Sequence, residues 1–174
     1  NIYEVTNSQQ LMLADSTAAL FKASDITMDE SRGTAGLKTT KFGTEFDLCA
    51  DEPFFEEPVG AFCSGSLVGP DLMMTAGHCV TSQTECTGTK FVFSYAITSK
   101  DEMPSSVAAT EVYGCQELLA REQVGTGADW APGRNPSLMI AMSISARNDA
   151  APLVKPWAAS SSESSVTCSF RFLR

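Results

Sequence analysis

Short apolar runs separated by turn residues recur along the chain. Ser66-Leu67-Val68 and Leu72-Met73-Met74-Thr75 flank Gly69-Pro70-Asp71, a turn signal that predicts a β-hairpin. Lys90 to Ile97 is rich in aromatic and β-branched residues and reads as a strand. Ser106 to Ala120, with Val107, Val112, Tyr113, Leu118 and Leu119, reads as a further extended segment that ends in Arg121-Glu122-Gln123. Upstream, Gln9 to Leu13 suits a short helix and Ser16 to Ala23 a strand, while Ser24 opens a turn or capped segment that runs to Glu30. Ser31 to Thr44, rich in Gly, Thr and Lys, is expected as an exposed connection, and Thr81 to Thr89 as a polar loop around Cys86. Short strands at this spacing predict an all-β chain, an antiparallel barrel or sandwich.

Composition narrows the function classes. A length of 174 residues suits one ordinary domain with a sizeable core. The formal charge of -9 and a pI near 4.5 argue against nucleic-acid binding, because no basic stripe exists to displace counterions from phosphates. Six cysteines in a chain of this size point to an oxidising compartment. None forms a Cys-x-x-Cys pair and His78 is the only histidine, so neither a metal nor a cofactor is expected. No apolar run of about 18 residues is present, so no membrane-spanning helix is expected. The first residue is Asn1, without Met or an apolar leader, which is read as a removed or omitted signal peptide and a secreted or periplasmic protein.

Cys63-Ser64-Gly65-Ser66-Leu67-Val68, followed by Thr75-Ala76-Gly77-His78-Cys79, carries the chemistry. These residues resemble the histidine segment of the trypsin-like (chymotrypsin-fold) serine endopeptidases. The resemblance implies a six-stranded antiparallel barrel, a disulfide between Cys63 and Cys79, and His78 as general base. The lead-in from Asp47 to Phe54 and from Glu57 to Phe62 is similar to bacterial secreted members, and no Ile-Val-Gly-Gly activation sequence is seen. Asp129, in Gly127-Ala128-Asp129-Trp130-Ala131, looks like the aspartate that orients the histidine. On this reading residues 1–45 are an N-terminal extension, 46–130 the first barrel, and the substrate a polypeptide.

Beyond Trp130 the resemblance is expected to stop, with Pro132-Gly133 cutting the strand. Residues 1–130 carry 19 acidic and 7 basic side chains, whereas residues 131–174 carry 2 and 5. Serine fills nine of these last 44 positions and Gly133 is the final glycine, so no serine beyond Asp129 sits in the family's Gly-Asp-Ser-Gly-Gly turn, whose N–H groups stabilise the oxyanion. Residues 131–174 are therefore read as a divergent tail, best explained by a shifted reading frame. The chain is expected to be a truncated, inactive serine endopeptidase without a nucleophile; the alternative is a non-catalytic pseudo-protease binding module. Cys49, Cys86, Cys115 and Cys168 remain with three pairings open.

Overall fold

The computed structural model describes residues 1–100 and 102–135. Asn7 opens the first helix, α1 (Ser8–Asp15), by accepting from the N–H groups of Gln9 and Gln10. Strand β1 (Thr17–Lys22) follows, then β2 (Ile26–Asp29) and β3 (Thr34–Leu37), joined by a turn in which Gly33 takes φ +64°. Next come β4 (Thr40–Lys41), the single-turn α2 (Phe42–Glu45), β5 (Pro58–Val59) and the long β6 (Cys63–Gly69). The expected hairpin is completed by β7 (Leu72–Thr75), and a short helix, α3 (Gln83–Thr87), leads to β8 (Thr89–Val92). The remaining strands are β9 (Ser106–Ala108), β10 (Val112–Gly114), β11 (Glu117–Leu118), β12 (Glu122–Gln123) and β13 (Asp129–Arg134).

The main sheet runs β10-β8-β1-β6-β7-β13-β11, with every pair antiparallel. Its two outer strands are arms of one bent run. Between them lie only Cys115 and Gln116, whose N–H groups donate to Thr89 O and Arg134 O, each at 3.0 Å. The bend thus ties both ends of the curled sheet together, and counting β10 and β11 as one gives six strands, the all-β, trypsin-like barrel expected from the sequence.

Two apolar clusters flank the sheet. Inside the barrel are Ala18, Leu20, Met73, Val80, Cys86, Phe91, Phe93 and Cys115. On the outer side Phe21, Ala35, Leu37, Val92 and Val107 pack beneath a second sheet of order β2-β3-β9. The alternation of β1 supplies both clusters, Ala18 and Leu20 facing inward and Phe21 outward.

Three sequence expectations are corrected here. Within the expected N-terminal extension, residues 17–22 are barrel, because β1 lies between β6 and β8 and pairs along its length with both, whereas β2 and β3 belong to the second sheet. Ser31 to Thr44 is not simply an exposed connection, since Ala35 and Leu37 are buried in β3; alternation over four residues is too short a signal among Gly, Thr and Lys. The strand is not cut at Pro132, for β13 continues to Arg134 with Ala131 fully buried. Pro132 O accepts from Leu119 N–H, on the flank away from β7, and a strand residue points its nitrogen and its carbonyl to the same side. The donor that proline lacks is therefore missing only beside the short β11, and the ladder to β7 is unaffected. The expected tail beyond residue 135, with its serine run and Cys168, lies outside the described residues.

Tyr95 anchors the small β4-β5 ribbon. Its hydroxyl donates to Pro58 O at 2.7 Å and its ring meets Phe21 edge-on at 5.3 Å. Burial pushes the phenol up to about 12. A raised folded value favours the neutral phenol in the folded state, so this stabilisation is complete below the unfolded value of 10.0 and lost as pH rises toward 12. A tyrosine titrating late at 295 nm is expected in the native protein and absent from Tyr95→Phe, which also loses about 1 kcal/mol for the hydrogen bond.

Candidate active site

His78 follows β7 in a tight turn closed by Cys79 N–H donating to Ala76 O at 3.0 Å. The expected disulfide joins Cys79 to Cys63 at the start of β6, with 6.1 Å between their Cα atoms. Asp129 opens β13, which pairs antiparallel with β7 in the register Ala131↔Thr75. Continuing that register two steps sets Asp129 opposite Gly77, and the chain separation of 51 residues closes through one ladder. Asp129 shares the inward parity of Ala131 and Gly133, so its carboxylate stands on the barrel rim.

The two predicted residues meet there. His78 Nδ1 lies 2.5 Å from Asp129 Oδ2, and the His78 backbone N–H donates to Oδ1 at 2.8 Å. With Asp129 ionised, the imidazole proton sits on Nδ1, which donates to the carboxylate, and Nε2 on the opposite side of the ring is left as the lone-pair base. The His78 side chain is 57 % exposed, so the ring is reachable from solvent. Gly77 leaves no room for a side chain, since a Cβ there would run into Glu122 O, Asp129 Oδ1 and Trp130 O.

The hydrogen bond with the His78 side chain holds the Asp129 carboxyl below the ordinary carboxylate range, helped by the N–H groups of His78 and Gly77 and opposed by desolvation. A lowered folded value means that the stabilisation is present above the unfolded value near 3.8 and is lost as pH falls through the folded one. The urea midpoint is expected to drop as pH is lowered from about 4, and Asp129→Asn should make that dependence shallower.

Cys63, Cys79 and His78 bring their ligand atoms within 4.8 Å of one another. The two sulfurs are bonded to each other and are not thiolates, so in this oxidised form they offer a metal no anionic ligand. Of the three pairings left open by the sequence, Cys86 is bonded to Cys115 with a Cα separation of 5.1 Å, and none of the described cysteines is free. The expected polar loop around Cys86 is partly helical, α3, capped by Ser82 and with Cys86 turned into the core. Sequence reasoning passed over Arg121 and Glu85, which hold the histidine turn from either side. Glu85 sat inside the expected polar loop and Arg121 in the charged run that ends the extended segment, and neither position marks a contact with the histidine turn.

No helix among the described residues is long and apolar enough to cross a membrane. Searches of the curated proteins and of the solved structures each return no match. Residues 53–131 match the trypsin family model, a span that opens just before β5 and closes on β13 with both residues of the rim pair inside it. That match and the six-stranded barrel together make this segment of the chain similar to the trypsin-like serine proteases.

Proposed function

We propose that this barrel is the histidine- and aspartate-bearing half of a secreted serine endopeptidase acting on polypeptides, with His78 as general base and Asp129 as the carboxylate that orients it. The observation that carries this reading is the paired contact of Asp129 with the Nδ1 and backbone N–H of His78, at 2.5 and 2.8 Å, on the rim of a trypsin-type barrel. A carboxylate so placed fixes the tautomer whose Nε2 accepts a proton and stabilises the imidazolium that results. In the full reaction the base takes the proton of a serine hydroxyl as its oxygen attacks the scissile carbonyl, then delivers it to the leaving amine. A binding module would have no chemical use for this pair, which is why the catalytic ancestry is preferred to a pseudo-protease role.

Residues 1–174 contain no Gly-Asp-Ser-Gly-Gly segment, so a nucleophile and an oxyanion hole of the family type must come from outside them. On their own these residues are expected to hydrolyse no peptide bond. A panel of fluorogenic peptides and a fluorophosphonate probe test this: neither turnover nor labelling is expected, and heat-sensitive labelling of any serine overturns the proposal. The disulfides Cys63–Cys79 and Cys86–Cys115 support secretion, since both need an oxidising compartment to form.

A further inference from the structure

Arg121 stands outside the roles described so far. It precedes β12, the strand that pairs with the first residues of β13 in the register Gln123↔Asp129 and Glu122↔Trp130. Its Nε donates to Gly77 O at 2.6 Å, across 44 residues of chain, and a terminal nitrogen of the same guanidinium donates to Gln123 Oε1. One planar group therefore grips the carbonyl just before His78 and a side chain on the residue paired with Asp129. We infer that Arg121 is a positioning residue that clamps the histidine turn to the aspartate hairpin and so keeps the imidazole on its carboxylate. The inference rests on the assignment of His78 and Asp129 proposed above.

Three observations support it. The Gly77–Thr81 turn is held at its other end by Glu85, whose carboxylate accepts from the Thr81 N–H at 2.7 Å and the Thr81 hydroxyl at 2.6 Å. The charge of Arg121 also acts on Glu85. The turn is thus gripped one residue before His78 and three residues after it by groups of opposite sign that attract each other. Second, the segment that carries Arg121 is packed directly on the turn, for a Cβ on Gly77 would run into Glu122 O. Third, the two donor bonds diverge from different nitrogens of the guanidinium. That fork cannot be reproduced by the single ammonium nitrogen of lysine, so the position selects arginine over lysine.

The protein's one histidine makes the test direct, since every imidazole signal belongs to His78. In isotope-labelled wild type, NMR is expected to show the imidazole proton on Nδ1 as a low-field resonance, and Asp129 titrating below the ordinary carboxylate range. If neither is seen in wild type, the pairing of His78 with Asp129 fails and this inference with it. With the wild-type signals present, Arg121→Ala is expected to lose the Nδ1 proton resonance to exchange and to return Asp129 toward its ordinary value. Circular dichroism and both disulfides should stay unchanged. Arg121→Lys is expected to recover only part of the resonance. A variant with wild-type Nδ1 and Asp129 signals would overturn the clamp while leaving the pair intact. Should Arg121→Ala not fold, Gln123→Ala removes one arm only; faster exchange of the His78 amide is then expected, and an unchanged rate would equally overturn it.

Discussion

Phe91→Ala is expected to destabilise the domain by about 3–5 kcal/mol, read as a fall in the denaturant midpoint with the disulfides intact. Phe91 is 1 % exposed and stands in the middle of β8, opposite Leu20 on β1 and Tyr113 on β10. Its ring reaches across the barrel toward Gly133, where a Cβ would lie 3.6 Å from it. The interior around it is nearly full: the adjoining void, lined among others by Met73, Val80, Leu118 and Ala131, measures about 10 Å³. Truncation leaves a cavity that the neighbours cannot close, because β7, β8 and β13 are each held by ladders on both sides and Val80 follows the disulfide at Cys79. A loss under about 1 kcal/mol would mean that the barrel collapses around the gap, contrary to a rigid closed sheet.

The second large effect is expected from Cys86→Ala combined with Cys115→Ala. This bond spans 29 residues, against 16 for Cys63–Cys79. On the chain-entropy account its removal costs about 3.5 kcal/mol, slightly more than the shorter loop at about 3 kcal/mol. Position adds to this, for Cys86 and Cys115 are 0 % and 4 % exposed and join α3 to the bend that ties the two ends of the sheet. Removing the link loosens the closure itself. Alanine keeps the site apolar and avoids burying a hydroxyl without a partner. The same burial predicts an order of reduction: the half-exposed Cys63–Cys79 should react with a phosphine in the native protein well before Cys86–Cys115 does. Equal reduction rates, or a double variant as stable as wild type, would contradict this account.

Both effects concern how the barrel is built, and its rim is where the family motif was legible beforehand. Thr75-Ala76-Gly77-His78-Cys79 with Cys63 upstream was enough to give the family resemblance, the disulfide and the histidine, since each is a local pattern. Asp129 was found by its distance from His78 in the chain, and the β7-β13 ladder supplies the reason that distance works. The β6-β7 hairpin was legible from Gly69-Pro70-Asp71 because turn chemistry acts over three or four residues. Arg121 gave no signal at all. Its partners Gly77 and Gln123 are fixed by strand pairing, and one arginine in a charged run is indistinguishable from solvated surface.

The strand β3 was misjudged for a related reason. A four-residue strand such as β3 holds two inward positions, and its apolar content falls below what marks a strand when glycine and threonine fill the rest. Pro132 misled in the opposite direction. Whether proline breaks a strand depends on which flank its missing donor faces, and that is a property of the sheet and not of the residue.

By itself, then, the sequence determined the β6-β7 hairpin, through short-range turn chemistry, and its resemblance to a known family pointed to the Cys63–Cys79 bond and to His78 and Asp129 as a pair, because that motif is local. Only the tertiary structure decided that β1 belongs to the barrel, that β13 runs on through Pro132, that Cys86 takes Cys115, and that Arg121 grips the turn before His78. Those depend on which strands lie side by side once the sheet closes, and contacts between residues tens of positions apart leave no periodic trace along the chain.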